Sequence, residues 1–194
     1  MIKFEIVSEY LNKDIHIPKR ATKESAGYDI EAAESITIPS LLQTIKREIK
    51  LPKTIPGTNF SQMAGYFEVT EHLRTCDIGA IKNIVKFLKL RTMVPTGLKA
   101  KMPEGVVLKL YPRSGTGSNC LLQLANQTGI IDSDYYNNED NEGHIFIPMI
   151  NLSPFDIHIS KGDKIAQGIF TTFLITDDDN ASGDRSGGFG STGK

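Results

Sequence analysis

Short runs in which apolar and polar residues alternate make up most of this sequence, and turn residues separate one run from the next. The apolar members of these runs are Ile2, Phe4 and Ile6; Ile36 and Ile38; Val106, Leu108 and Leu110; Ile145, Ile147 and Met149; and Phe155, Ile157 and Ile159. Because side chains alternate between the two faces of a β-strand, each run predicts a strand with one buried face. Many short strands at close spacing are typical of a sandwich or barrel. We therefore predict an all-β fold for most of the chain.

One segment breaks the alternation. Between residues 41 and 90 apolar residues recur every three or four positions, as Leu41, Ile45 and Ile49 do, which is typical of an amphipathic helix. A second pattern of this kind covers residues 78–88. The segment holds eight basic and four acidic residues, whereas the whole chain has a net charge of -1. A piece of this length rarely sustains its own core. We therefore expect a mostly helical, basic insert whose apolar faces pack on the β domain or on a partner.

The composition changes again after residue 176. Three aspartates at 177–179 lead into a stretch rich in Gly and Ser with few apolar residues. This composition is typical of a mobile terminus. We therefore predict a β domain over residues 1–176, interrupted by the insert at about 41–90, and a flexible C-terminal arm over residues 177–194.

Charge and composition exclude several classes of protein. A net charge of -1 lacks the basic surplus of a general nucleic-acid binder, and no apolar run reaches the length of a membrane span. Cys76 and Cys120 are too few for a disulfide framework or a multi-cysteine zinc site, and they are more typical of packing residues. The first ten residues alternate like a strand rather than like a signal peptide. We expect a cytoplasmic protein.

Three segments carry residue types that suit phosphate binding. Arg113 and Ser114 precede a glycine at the end of a predicted strand, where they could bind an oxyanion or form a plain turn. Asp132 could act as a general base or belong to an Asp-rich turn. Phe189 lies in a Gly-rich tail between Arg185 and Lys194, which suits a lid over a nucleotide or a disordered end. The tail imitates a phosphate loop but lacks the Ser or Thr and the helix that must follow.

Taken in order, five motifs resemble those of the trimeric dUTPase family. They are residues 25–30 (SAGYDI), 112–115 (PRSG), 129–135 (GIIDSDY, with Asn126 upstream), 161–167 (KGDKIAQ) and 185–193 (RSGGFGSTG), with a further turn at 94–97 (VPTG). The resemblance implies a jelly-roll or β-clip subunit that forms a homotrimer with three active sites shared between subunits. It also implies hydrolysis of dUTP to dUMP and pyrophosphate, with Mg²⁺ held by the triphosphate.

Each matching residue takes a role that the resemblance implies. Asp132 would activate the water that attacks the α-phosphorus, and Tyr135 would pack under the deoxyribose and leave no space for a 2′-hydroxyl. Asp29 would orient Arg113 or a metal-bound water. The implied substrate-binding residues are Arg113, Ser114, Gly115 and Gln167 at the phosphates, Asn126 and Gly129 at the uracil edge, Phe189 over the uracil, and Arg185, Gly190, Ser191 and Thr192 at the phosphates of a neighbouring subunit's site.

The chain departs from the usual family pattern in three places. Residues 136–144 make a longer loop after Tyr135 than the tight turn of the family, which bears on contacts near the sugar. The spacing between Arg185 and Phe189 is one residue tighter than in the commonest form. The insert at about 41–90 has no counterpart that we can assign, and it is either an inert insertion or a surface for a protein partner.

Two other functions stay open at this point. A dCTP deaminase, or a bifunctional deaminase–diphosphatase, has the same fold. Deamination needs an acid–base group at the base, typically a glutamate in the family, whereas Asp132 and the aromatic fifth motif favour the diphosphatase. The other alternative is a regulatory interaction protein that acts through the basic insert.

Overall fold

The computed structural model describes residues 1–48 and 90–183. The strands and the helix, in chain order, are β1 Lys3–Ile6, β2 Tyr28–Glu31, β3 Ile36–Ile38, α1 Leu41–Glu48, β4 Thr92–Pro95, β5 Leu98–Lys101, β6 Val106–Pro112, β7 Leu122–Leu124, β8 Gly129–Ile131, β9 Phe146–Asn151, β10 Ile157–Ile159 and β11 Lys164–Thr172. Nearly all of the regular structure in these ranges is β-strand, so the prediction of an all-β fold is confirmed.

Strand β11 lies inside the largest sheet, whose order is β2–β11–β6–β8. It runs antiparallel to β6 over seven residue pairs, beginning with Ala166 opposite Pro112. On its other side it runs antiparallel to β2, where Gln167 lies opposite Asp29. The start of β11 therefore lies between β2 and the end of β6, although these segments are far apart in the sequence.

A second sheet of order β4–β9–β7 and the two-stranded pairs β1–β5 and β3–β10 complete the described β domain. The core combines side chains from the sheets and the pairs. Its fully buried members include Ile30, Ile38, Val94, Leu98, Leu108, Leu110, Leu122, Ile145, Ile147, Met149 and Ile165. Burying an aliphatic side chain of this size contributes about 1.5–3 kcal/mol relative to leaving it exposed. The predicted alternation thus supplies the surface that holds the layers together.

Helix α1 begins where the helical pattern predicts, but polar groups rather than apolar ones attach its first turn to the β domain. The Ser40 hydroxyl caps the helix by accepting the N–H of Gln43 at 3.2 Å. The N–H of Ser40 donates to the Asp156 carboxylate at 2.7 Å. Thr44 is buried, whereas Leu42 is 45% exposed. In this chain the start of the helix is therefore attached to the β domain by polar contacts, and Leu42 does not pack on it.

Some predicted features lie outside the described residues. They include the second helical pattern at 78–88, Cys76 and the last eleven residues of the arm. Cys120 is exposed, so the prediction that it packs in the interior is wrong. The described start of the arm, residues 177–183, is exposed along its length. Within the described ranges, no helix is long and apolar enough to cross a membrane.

Gly143 allows the long loop of residues 136–144 to close on itself. Its φ is +78°, in the left-handed region that favours glycine. A Cβ at this position would lie 2.6 Å from the carbonyl oxygen of Tyr135 and 3.0 Å from the backbone nitrogen of Asn137. Backbone atoms cannot swing aside as the end of a side chain can, so the loop requires glycine here for two separate reasons.

We expect Gly143→Ala to lower the free energy of unfolding by more than about 2 kcal/mol, because the clash adds to the cost of a left-handed alanine. Gly105→Ala is the matched control, since Gly105 has a φ of +75° but a Cβ there would meet nothing within 4 Å. It should lose only about 1 kcal/mol. Urea denaturation of both variants makes the comparison, and equal losses would show that the clash has no energetic effect.

Candidate active site

Asp29, Arg113 and Lys164 meet where β2, β6 and β11 lie side by side. Arg113 Nε lies 2.9 Å from Asp29 Oδ1, and Lys164 Nζ lies 2.9 Å from Asp29 Oδ2. Asp29 is therefore held between two cations. Because Arg113 makes this contact through Nε, its two terminal nitrogens are left for an anionic ligand. This contact is consistent with the role implied for Asp29, which is to orient Arg113.

Two opposing effects act on the Asp29 carboxyl group, whose side chain is 14% exposed. Burial raises its pKa, but the hydrogen bond from Lys164 and the positive charge of Arg113 outweigh burial, so the pKa lies below its ordinary value. Asp29 therefore stays ionised at neutral pH and keeps its hold on the guanidinium group. A guanidinium held in this way loses less conformational freedom when it binds a phosphate.

The chain makes a single π-helical turn, Gly115–Asn119, directly after the predicted phosphate-binding segment. The carbonyl of Arg113 closes the turn by accepting the N–H of Gly117 at 2.8 Å. Ser114 and Gly115 are both exposed beside Arg113. The three residues thus form one accessible surface at the end of β6, as an anion-binding turn needs.

Gln167 connects the strands that carry this cluster. It lies opposite Asp29 on one side and Tyr111 on the other. Its Nε2 donates to the carbonyl of Pro112 at 3.1 Å. A Cβ on Gly27 would lie 2.6 Å from its Oε1, so glycine at position 27 makes space for this amide. In the structure Gln167 therefore contacts the end of β6. The binding of phosphate by Gln167 stays a prediction from the sequence.

Asn126 lies in the turn that connects β7 to β8, and Gly129 begins β8; the two strands belong to different sheets. Asn126 is exposed, and its carbonyl accepts the N–H of Thr128 at 2.6 Å within the turn. Gly129 is buried opposite Leu110, and a Cβ there would lie 3.0 Å from the Leu110 side chain. Glycine therefore lets β8 approach β6 closely. The turn leaves Asn126 exposed, so the predicted contact with a base edge is sterically accessible.

Asp132 lies towards the opposite end of the β6–β8 pair from Arg113. Leu110 faces Gly129 in antiparallel register, so the chain beyond β8 runs back towards the start of β6. At about 3.3 Å per residue, this register separates Asp132 from Arg113 by roughly 20 Å along the strands. The structure therefore brings Asp29, Arg113 and Gln167 together but does not bring Asp132 of the same chain to them.

Tyr135 ends the short turn that follows Asp132, and its side chain is held at both ends. The ring is 4% exposed. The hydroxyl donates to the carbonyl of His144 at 2.9 Å and accepts a hydrogen bond from Asn141 Nδ2 at 2.8 Å. Asn138 Nδ2 donates to the Tyr135 carbonyl at 2.9 Å. Within one chain only a small part of the ring can face a ligand.

Known proteins identify the fold and the motifs. The family model of dUTPase matches residues 75–193. The chain belongs to the dUTPase family. The deoxyuridine 5′-triphosphate nucleotidohydrolase of Lactococcus lactis subsp. lactis (strain IL1403) is 39% identical over 192 residues, which cover 98% of this chain and 96% of that protein. The family resemblance of the five motifs is therefore confirmed.

Solved structures of the dUTPase family share the fold. The dUTPase from Streptococcus mutans is 31% identical, with a TM-score of 0.62 over 90% of this chain and 98% of that chain. A dUTPase from phage phi11 of S. aureus, described with a species-specific insert, has a TM-score of 0.57 at 18% identity and covers 96% of this chain and 99% of that chain. The match to the L. lactis protein extends over nearly the whole of both chains, whereas the family model begins at residue 75.

The long loop after Tyr135 is fixed to the body of this dUTPase-family chain by charge. The Glu142 carboxylate accepts hydrogen bonds from Lys99 Nζ at 2.5 Å and from the N–H of Ser8 at 2.9 Å. These contacts, led by the Lys99 hydrogen bond, lower the pKa of Glu142 to about 2. Tyr136 donates to Glu5 at 2.5 Å. The loop thus packs on β1 and β5 rather than extending into solvent.

The turn at residues 94–97 supports the other end of this loop. The N–H of Gly97, whose φ is +68°, donates to His144 Nε2 at 2.9 Å. Burial lowers the pKa of His144, so the imidazole is neutral and can accept this bond. Its ring lies 4.1 Å from that of Phe146 between centroids. His144 therefore stabilises the fold by holding this turn.

Lys164, Asn141 and Glu142 are site-supporting residues that sequence reasoning does not find. Lys164 is 135 positions from Asp29, and only the pairing of β11 with β2 brings them together. For Asn141 the sequence offers only the unusual length of the loop after Tyr135. That length indicates that the loop differs from the family but does not predict which residues its side chains contact. The predicted arm residues Arg185, Phe189, Gly190, Ser191 and Thr192 lie outside the described ranges.

The Glu142 contacts predict how stability depends on pH. The folded pKa of about 2 lies below the ordinary value of 4.5, so these contacts stabilise the protein fully above about pH 4.5 and are lost as the pH falls through 2. We expect Glu142→Gln to cost about 1 kcal/mol at pH 7, since the pair is partly solvated. The cost should shrink steadily below pH 4.5.

Urea denaturation between pH 2.5 and 7 measures this difference. Glu139→Gln, a change at an exposed position of the same loop, is the control and should stay within about 0.5 kcal/mol of the unchanged chain. A Glu142→Gln cost that is constant over the whole pH range would contradict the assignment of the effect to the Glu142 charge.

Proposed function

We propose that this chain hydrolyses dUTP to dUMP and pyrophosphate. The observation that carries the proposal is the cluster at β11, in which Asp29 fixes Arg113 and leaves its terminal nitrogens for a substrate beside an exposed turn. A planar guanidinium held this way matches the paired oxygens of a phosphate. Membership of the dUTPase family, with a close relative named for this reaction, supports the choice of substrate.

Asp132 is the proposed general base. Phosphoryl transfer depends on positioning and charge neutralisation more than on covalent chemistry. Asp132 stands directly after β8 in an extended conformation, and its carbonyl accepts the N–H of Tyr135 at 3.2 Å. This turn fixes the backbone from which the carboxylate projects. In the proposed step the carboxylate takes a proton from water, the water oxygen bonds to the α-phosphorus, and pyrophosphate leaves.

A complete site needs more than one copy of the chain. The register of β6 and β8 keeps Asp132 roughly 20 Å from Arg113 of its own chain, which is too far for both to act at the same phosphate. In a homotrimer with shared sites, Asp132 of one subunit would meet Arg113 of another. Leu174 and Ile175, which follow β11, are 96% and 71% exposed, and apolar residues of this kind suit burial between copies.

Mg²⁺ fits the proposed site as an ion held by the substrate. Among the described residues no group of three His, Cys, Asp or Glu side chains could hold a metal ion. Both carboxylate oxygens of Asp29 are already bound to Arg113 and Lys164. Phosphate oxygens and waters are the ligands that Mg²⁺ prefers when the protein offers no cage. When bound, the ion would neutralise charge on the phosphates, while Arg113 does so from the protein side.

The remaining contacts with dUTP are proposed from the motifs. Asn126 and the backbone near Gly129 would read the uracil edge from the connection between β7 and β8. The other proposed contacts are Ser114, Gly115 and Gln167 at the phosphates, Phe189 over the uracil, and Arg185, Gly190, Ser191 and Thr192 closing on the phosphates. Tyr135 would exclude a ribose through its position under the sugar.

We expect Asp132→Asn to lower kcat for dUTP by at least about 10³-fold while nucleotide binding changes little, because the amide cannot accept the proton. Asp134→Asn, an exposed neighbour in the same turn, is the control and should keep most of the activity. Pyrophosphate release measures turnover, and calorimetry with a non-hydrolysable dUTP analogue measures binding. Normal turnover by Asp132→Asn would refute the assignment of the base. Release of ammonia from dCTP would instead favour the deaminase.

Mixing two inactive variants tests the shared site. Asp132→Asn and Arg113→Ala chains, unfolded together at equal amounts and reassembled, should regain about a quarter of the wild-type rate, because random assembly restores about one site in four. The same variants mixed without unfolding are the control and should stay inactive. No recovery, in assemblies of normal mass, would place both residues in the site from the same chain.

A further inference from the structure

The contacts of the long loop point to Asn141 as a residue that positions Tyr135 and thereby sets the selectivity for deoxyribose. We infer that Asn141 acts on the sugar only through the hydroxyl of Tyr135. The inference rests on the proposed function, in which Tyr135 lies under the sugar. It assigns a task to residues 136–144, the part of the site where this chain departs from the usual family turn.

The Tyr135 hydroxyl is held from two directions. It donates to the carbonyl of His144 at 2.9 Å and accepts from Asn141 Nδ2 at 2.8 Å. One hydrogen bond would still let the ring tilt about that contact, whereas a donor and an acceptor together fix the position of the oxygen. The side chain is 4% exposed, so losing a partner would leave a buried polar group without a substitute from water.

The amide of Asn141 is itself fixed in one orientation. Its Oδ1 accepts hydrogen bonds from Asn138 Nδ2 at 2.9 Å and from the N–H of Gly143 at 3.1 Å. A carbonyl oxygen is required on that side, so the Nδ2 group must face Tyr135. The contact with the tyrosine hydroxyl is therefore directional and is set by the loop.

The position of the loop is set in turn by contacts with the two-stranded pair β1–β5 and with Ser8, which follows β1. Glu142, the residue after Asn141, is bound to Lys99 of β5 and to Ser8. Lys99 also donates to Asn137 Oδ1 at 2.7 Å. Hydrogen bonds at Glu142 and Asn141, which are neighbours in the chain, thus connect a buried lysine in the body of the protein to the hydroxyl of Tyr135.

Rejection of a ribose depends on how firmly the ring is held. A 2′-hydroxyl adds one oxygen to the sugar, and an aromatic ring that can retreat by a fraction of its thickness would admit it. A rigid ring would not, so the difference in kcat/KM between dUTP and UTP reports the restraint on Tyr135. The restraint comes from Asn141 and the His144 carbonyl, not from a direct contact of either with the ribose.

The test is a double-mutant cycle on Asn141→Ala and Tyr135→Phe. Each variant should lower the ratio of kcat/KM for dUTP to that for UTP by about tenfold, mainly through better use of UTP. Because Tyr135→Phe already removes the contact with Asn141, the double variant should lose no more than Tyr135→Phe alone, rather than the product of the two losses. The ratio compares two substrates on one sample, so a lower folded fraction in any variant cancels.

Glu139→Ala, at an exposed position of the same loop, is the control and should leave the ratio unchanged. A ratio within twofold of wild type in Asn141→Ala would overturn the inference, as would losses that multiply in the double variant. If the wild-type chain hydrolyses neither nucleotide, the proposed function fails, and this inference falls with it. Wild-type dUTP hydrolysis with an unchanged ratio in the variants would reject the positioning role alone.

Discussion

Strand β11 bonds to β2 on one side and to β6 on the other, and the proposed phosphate-binding groups depend on both pairings. Asp29 stands in β2, Arg113 follows β6, and Lys164 begins β11, so no two of them are neighbours in the sequence. The register between β11 and β2 shifts between Lys164 and Ala166. A slip of one residue would turn Asp29 to the other face of its strand. The charge cluster is therefore a consequence of sheet register rather than of local sequence.

The same antiparallel order explains why the proposed site needs a second copy of the chain. Neighbouring antiparallel strands carry successive residues in opposite directions, so a group that follows β8 moves away from a group that follows β6. No side-chain conformation of Asp132 or Arg113 closes roughly 20 Å. Symmetry offers a solution that the strand geometry of one chain does not, because a second copy can present its own Asp132 to the first copy's arginine. Activity of this site would then require assembly.

The β-strands could be predicted from the sequence because their signal is local. Alternation with a period of two is a property of a single strand. The strands at Ile36, Ile38 and β9 could therefore be predicted without knowing which strands they pair with. The motifs also located the groups at Arg113 and Asp132. Their spatial relation could not be predicted, since it depends on which strands pair and in what register. The polar docking of α1 through Ser40 was hidden for the same reason, because its acceptors lie more than a hundred residues away.

In residues 136–144 a departure from the family pattern is accompanied by additional polar contacts. A tight turn after Tyr135 would position the ring through a short and stiff backbone. A longer loop has more conformational freedom to lose, so it needs additional bonds to reach the same rigidity. Here Glu142 binds the body of the protein, Gly143 closes the backbone and Asn141 holds the hydroxyl. The density of polar contacts in this loop is therefore the expected consequence of its length, if the ring of Tyr135 must stay still.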